Sequence, residues 1–204
     1  MSKEKSISGA SGRPFLRAVA GPGEEVRRTR AVTLPYGAAS AVLRGDSLVA
    51  VEWEETEQVL EAVLAERYPG VRIVEPGECA AGRLLLSYSA GKPVTPGEVA
   101  SVRLDWKRVR GFHREVLREL AGLPYGSTIT YGGLAAKAGR AGAARAVGAA
   151  VARNPWPVIV PCHRVVGTGG KMVGFGKGID AKRTLLAFEG GDAGGDCTRN
   201  RQNV

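Results

Sequence analysis

The run "VIVPCHRVV", Val158 to Val166, sets a thiol, an imidazole and a guanidinium side by side at Cys162, His163 and Arg164. A cysteine attacks as its thiolate, and at an ordinary pKa of ~8.5 only roughly 3% is ionised at pH 7. A histidine acting as base, or nearby positive charge, raises that fraction. Two readings of the run are open. Either a buried strand contains an inert cysteine, the common state of a lone thiol among apolar residues, or a strand delivers a thiol to a reactive site. Pro161 interrupts the strand pattern and puts Cys162 at a strand end, and His163 and Arg164 are poor core residues. Neighbours on an extended segment point to opposite sides. Cys162 and His163 therefore need a turn or a bridging water to communicate.

The elements before this run must position it. "GFHREVLRELAGLPYG" places Phe112, Val116, Leu117 and Leu120 on one helical stripe that ends at Gly-Leu-Pro. "STITYGGLAAKAGRAGAARAVGAAVARNPWP" then reads as a short helix, a glycine-containing turn and a second helix. Ser127 or Thr130 can cap the first of these, and Asn-Pro stops the second. That layout is a helix-turn-helix. The second helix is built from Ala and Gly, with Arg145 and Arg153 as its only charges. Small residues permit tight helix packing, and they equally permit close approach to a nucleic-acid backbone or a narrow groove. Composition does not separate these.

The first half reads differently. From Ala31 to Trp53 apolar and small or polar residues alternate around "RGD", a β-hairpin pattern. "ETEQVLEAVLAERYPG" has Val59, Leu60, Val63 and Leu64 at helical spacing, closed by Pro-Gly. "VRIVEP" and "GRLLLSYSAG" read as further strands, and no catalytic constellation is visible. The expected fold class is α+β: a small N-terminal α/β domain with an antiparallel sheet, then a mostly helical C-terminal domain containing the helix-turn-helix. The expected divisions are an arm at 1–30, rich in Gly, Ser, Pro and Arg, the α+β domain at 31–105, the helical domain at 106–190, and a Gly/Asp-rich disordered tail at 191–204.

Composition bounds the function. The 204 residues carry a formal charge of +9, which suits a polyanionic partner. Three widely spaced cysteines, no CxxC pair and two histidines argue against a zinc site. An odd cysteine count fits free thiols in a reducing compartment. With no long apolar run and no signal-peptide core, a cytoplasmic protein (nuclear in a eukaryote) is expected.

"NPWPVIVPCHRVVG", preceded by "ITYGGLA" and "AARAVGAA" and followed by "GIDAKRTLLAFEG", closely resembles the O6-alkylguanine-DNA alkyltransferases (methylated-DNA–protein-cysteine methyltransferases). The likeness runs from Phe112 to Gly190. It implies that Cys162 accepts the alkyl group, that His163 takes the thiol proton through a water, and that Glu189 orients and charges that histidine. Asn154 would shape the cysteine's turn. Arg145 would fill the gap left by an extruded nucleotide, on a DNA-binding helix that also presents Ala144, Gly148 and Arg153. Tyr131, Pro157, Phe175 and Gly176 would line the base pocket. The implied reaction is irreversible transfer from O6-alkylguanine, and also O4-alkylthymine, in double-stranded DNA. It implies one turnover, no cofactor, no metal, no obligate protein partner, no membrane, and a monomer.

The chain departs from that pattern in places. The loop after the cysteine reads "GFGKG", Gly174 to Gly178, where the family usually has a sequence close to Gly-Tyr-Ser-Gly-Gly. Phe175 lacks a hydroxyl, Gly176 lacks a side-chain donor, and Lys177 can reach a phosphate or face solvent. Trp156 stands where a smaller residue is common and can narrow the pocket. His113 reads as an ordinary surface residue, and Cys79 and Cys197 match no functional position. Three other classes compete. An alkyltransferase-like recognition module would lack the reactive cysteine that Cys162 supplies. A helix-turn-helix regulator would not need the thiol set, and a cysteine hydrolase would need an oxyanion hole and a deacylating water.

Overall fold

The alternation read around "RGD" forms a hairpin of β3 (Ala38–Arg44) and β4 (Ser47–Glu54), closed by Gly45 and Asp46. In the computed structural model of the protein, residues 25–190 are described. The other edge of β3 is met by β1 (Val26–Thr29) and β2 (Val32–Thr33), which form one interrupted strand. Thr29 fills the break: its Oγ1 accepts from the Ala41 N–H at 3.0 Å, and its carbonyl accepts from the Ser40 hydroxyl at 2.8 Å. β5 (Arg72–Val74) completes the sheet parallel to β1, the one exception to its antiparallel pairing.

Both faces of the hairpin are buried, as the continuous burial along β3 shows. On one face Ala38, Val42, Val49 and Ala50 pack on Leu60, Leu64 and Tyr68 of α1 (Glu57–Arg67) and its end. A register shift between Val42 and Leu43 returns the apolar residues of β4 to alternation beyond it. On the other face Ala39, Ala41, Leu43, Val51 and Trp53 join a core that continues into the C-terminal half.

Two expectations for the first half are corrected. Residues 26–29, assigned to an arm, are a sheet strand. The rest of that arm up to residue 24, and the tail from 191, lie outside the described residues. "GRLLLSYSAG" is helical: α2 spans Ala80–Ser89. Three consecutive leucines suggest a strand, but Ala81, Leu84, Leu85 and Tyr88 follow the i, i+3, i+4, i+7 spacing of one helix face, and all four are buried. The Cys79 thiol caps this helix by accepting the Gly82 N–H at 3.3 Å.

The C-terminal half follows its pattern. α4 (Gly111–Ala121) buries Val116, Leu117 and Leu120, each contributing about 1.5–3 kcal/mol of apolar burial. It packs against α5 (Tyr131–Lys137) and α6 (Ala144–Ala152), the two helices of the helix-turn-helix. Thr130 is the cap of α5, accepting from the Gly133 N–H at 3.0 Å. A short helix α3 (Pro96–Ser101) precedes them, and α7 (Ile179–Phe188) closes the described chain. The fold is α+β, with a sheet-bearing N-terminal part and a helical C-terminal part. Their seam is polar as well as apolar: Trp156 Nε1 donates to the Leu48 carbonyl at 3.0 Å, and the Val51 N–H donates to Pro155 O at 2.8 Å. No described helix is long and apolar enough to cross a membrane.

Candidate functional site

Residues 154–164 do not form the expected strand ending at Cys162. They wind into a compact turn, and Cys162–Arg164 is a 3-10 turn that leads into the two-residue strand β7 (Val165–Val166). β7 pairs in parallel with β6 (Ile129–Thr130), just before α5. The reason is Asn154. Its buried amide donates to the Val160 carbonyl at 2.7 Å, and its oxygen accepts the Trp156 N–H at 3.0 Å, so one side chain closes the turn at both ends. Val158 is held inside it at φ +71, a conformation strained for a β-branched residue. Pro161 contributes no N–H to a sheet ladder. In a 3-10 turn successive side chains lie about 120° apart rather than opposite, at ~3 residues per turn. Cys162 and His163 thereby come onto neighbouring faces without an extended strand between them.

His163 is wholly buried, and its Nε2–H donates to Glu189 Oε1 at 2.6 Å. The bond sets the tautomer, leaving Nδ1, buried and with no hydrogen-bond partner among the described residues, as the acceptor. Glu189, the residue that ends α7, is gripped from four directions. Arg164 donates from Nε to Oε2 at 2.8 Å and from an Nη to Oε1 at 3.1 Å. The Gly126 N–H reaches Oε2 at 3.2 Å, and the Tyr88 hydroxyl reaches Oε1 at 3.0 Å. Gly126 sits at φ +70, and an added Cβ there would lie 2.8 Å from the Glu189 carbonyl oxygen, so no larger residue fits this approach.

Burial alone would raise the Glu189 carboxyl, but the hydrogen bonds from His163 and Arg164, together with the Arg164 charge, outweigh it and hold the group at about 2. Burial pushes His163 below its ordinary 6.5, against the pull of Glu189. The site is a neutral imidazole backed by a permanent carboxylate, the orienter arrangement of activated nucleophiles.

Cys162 itself is buried, 7% exposed and in no disulfide. Sequence reasoning misses three of its supports. Arg164 reads there only as a poor core residue; the Cys-His-Arg run is its signal. Tyr88 gives none, because it lies 101 residues from Glu189 in the chain. Lys182 is fully buried in α7 and donates to the carbonyls of Val165 at 2.5 Å and Val173 at 3.1 Å. Burial lowers its ammonium to about 8, opposed by the charge of Cys162.

The other anticipated residues divide into two groups. Tyr131, the first residue of α5, donates its hydroxyl toward the carbonyls of Val173 and Gly174 at 3.3 and 3.2 Å. Phe175 is half-buried on Trp53, Pro157 is half-buried, and Gly176 is exposed. Trp156 does not narrow a pocket. It is fully buried in the seam, edge-on to Trp106 at 4.8 Å between centroids. On α6, Val147, Ala150 and Val151 face the core, and Gly148 packs near the Tyr131 ring. Arg145, Ala146, Ala149, Ala152 and Arg153 are exposed, while Ala144 is half-buried at the helix start. Small residues thus serve both packing and a smooth, arginine-tipped outer face. Arg140 and Lys137 are exposed nearby. His113 is half-buried between α4 and α6, not at the surface, and burial lowers its pKa despite a bond with the Ala150 backbone.

Taken together, the molecule is an α+β protein in which a helix-turn-helix flanks a buried thiol with an imidazole–carboxylate support. The profile of the family described as "6-O-methylguanine DNA methyltransferase, DNA binding domain" matches residues 111–191. A methylated-DNA–protein-cysteine methyltransferase of Salmonella typhimurium is 38% identical over 148 residues, 70% of this chain and 83% of that protein. One from Mycolicibacterium paratuberculosis is 54% identical over 78 residues, 38% of this chain. The match spans about half of that relative, 47% of its length. A crystal structure of Mycobacterium tuberculosis OGT in complex with DNA aligns with a TM-score of 0.62 at 33% identity, covering 80% of this chain and 92% of that one. The chain belongs to the methylated-DNA–protein-cysteine methyltransferase family.

Proposed function

We propose that the protein repairs DNA by moving the alkyl group of O6-alkylguanine, and also of O4-alkylthymine, irreversibly onto Cys162. The observation that carries this reading is the chain His163–Glu189–Arg164, buried beside Cys162 in a turn that Asn154 closes. Nδ1 of neutral His163 accepts the thiol proton through a bridging water, and Glu189 stabilises the imidazolium that forms. The Lys182 ammonium adds positive charge that favours the thiolate. Sulfur then bonds to the alkyl carbon as the carbon–O6 bond breaks, and guanine leaves with the electron pair and takes up a proton. A thioether is stable, so each molecule acts once.

The reacting atom lies inside a duplex, and extruding its nucleotide costs a few kcal/mol. The outer face of α6 suits that step. Its alanines allow close approach to a groove, and Arg145 can fill the vacated stack while Arg153 meets the backbone. Tyr131, Pro157, Phe175 and Gly176 lie on the segments that would enclose the extruded base. The partner in this reading is double-stranded DNA containing the lesion, bound by a monomer in the cytoplasm without a cofactor. Among the described residues no group of three or more His, Cys, Asp or Glu side chains could hold a metal ion.

Single-turnover incubation with duplex DNA containing O6-methylguanine, followed by peptide mass spectrometry, tests the proposal. A gain of one methylene on the Cys162 peptide, one per protein, is expected. Tight lesion binding with no mass gain would turn the reading to recognition without chemistry.

A further inference from the structure

The segment that follows β7 is held by both halves of the protein. At its start, Tyr131 and Lys182 of the helical half bind the carbonyls of Val173 and Gly174. At its tip, the sheet takes over. Phe175 packs on Trp53 with centroids 5.9 Å apart, and Lys177 Nζ donates to Glu54 Oε2 at 2.5 Å. Lys177 is therefore half-buried and engaged by the end of β4. The Trp53 platform is itself fixed, since its indole N–H donates to the Tyr36 carbonyl at 2.6 Å and the ring is 3% exposed. The Gly178 N–H donates to Phe175 O at 3.0 Å, which makes the tip a closed turn, so force applied at Lys177 is transmitted to Phe175 and Gly176.

We infer that Trp53 and Glu54 are positioning residues, which fix the 174–178 loop against the Cys162 site through Phe175 and Lys177 and so set which alkyl groups are accepted. The inference rests on the proposed transfer reaction only for its substrate consequence; the anchoring itself does not. The loop carries no side-chain hydroxyl, so its backbone N–H groups are what remain to meet the departing guanine, and their placement depends on the anchor. A pinned loop favours a small substituent. A released one loses that placement but admits a larger group.

The ion pair is only partly exposed, with side chains 29% and 19% accessible for Lys177 and Glu54, so its removal is expected to be felt. The test uses the full chain with Lys177→Ala, Glu54→Gln, and the exchanged pair Lys177→Glu with Glu54→Lys. Hydrogen–deuterium exchange reads the loop, and single-turnover rates on duplexes carrying O6-methylguanine or O6-benzylguanine read the specificity. Each single variant should speed exchange at 174–178 by about five-fold and lower the methyl-to-benzyl rate ratio by a similar factor. The exchanged pair should restore both. Unchanged exchange in the single variants, an unmoved rate ratio, or no recovery in the exchanged pair overturns the inference. If exchange responds and recovers but no variant or parent transfers any alkyl group, the anchor stands and the proposed reaction falls, and with it the claim about substrate range.

Discussion

The hydroxyl of Tyr88, on α2 of the sheet-bearing half, donates to Glu189 Oε1 at 3.0 Å, the same oxygen that receives the His163 ring N–H. The carboxylate behind the candidate base is thus oriented partly from outside the helical half. Burial and the negative charge of Glu189 push the Tyr88 phenol upward, so it stays a donor at all working pH. Tyr88→Phe keeps the ring in its fully buried slot and removes only this bond. Hydrogen bonds to charged groups contribute about 1.5–3 kcal/mol, so urea unfolding should show a loss near 2 kcal/mol. The transfer rate should fall several-fold, as the imidazole loses one of the contacts that fix its partner. An unchanged rate at reduced stability would make Tyr88 a packing residue alone.

Glu189 makes stability depend on acid in a defined window. Its folded pKa, about 2, lies below the ordinary 4.5. The unfolded state therefore binds more protons between these values, and stability falls as pH drops through 4.5 toward 2, being fully present above 4.5. The linked free energy is roughly 3 kcal/mol. Glu189→Gln should be destabilised at neutral pH, because Arg164 is left buried without its counter-charge. The variant should also show a shallower loss of stability between pH 4.5 and 2. Parallel slopes for parent and variant, measured by urea unfolding at several pH values, would show that other carboxylates control the acid response.

The rate of transfer should follow the histidine, not the carboxylate. His163 must be neutral to accept the thiol proton, and burial lowers its pKa below 6.5. The rate constant should persist as pH falls through 6.5 and decline only further down. Single-turnover rates from pH 5 to 8 measure this. A decline centred at or above 6.5 would mean that Glu189 prevails over burial in setting the charge of the ring.

Periodicity made the helical half legible. Val116, Leu117 and Leu120 on α4, the Thr130 cap, and the Ala/Gly-rich α6 all follow from spacing that one turn of helix enforces. Asn154 closes the turn that carries Cys162 and His163, and Glu189, at the end of α7, bonds the His163 ring. The strand expected before Cys162 failed because a side chain, Asn154, took the backbone groups a ladder would have used. The strand expected at Gly82 to Gly91 failed because three adjacent leucines fit either period, and only Ala81 and Tyr88 on either side settle it. Tyr88 and the Lys177–Glu54 pair, whose members lie 123 residues apart, depend on how the halves dock, which no local pattern encodes.

Arg145 separates extrusion from chemistry. It is exposed in the first turn of α6, beside solvent-facing Ala146 and Ala149, and makes no ion pair among the described residues. If it occupies the space of the extruded nucleotide, Arg145→Ala loses a contribution that matters only in duplex DNA. Extrusion costs a few kcal/mol, so losing about 1.4–2.8 kcal/mol of that compensation should slow transfer from a duplex by about 10- to 100-fold. Reaction with the free alkylated base needs no extrusion and should stay within about two-fold. A phosphate contact predicts something else: weaker binding to every duplex, damaged or not, and a salt slope smaller by about 1. Equal losses on duplex and free base would remove Arg145 from both roles and direct attention to the thiol site itself.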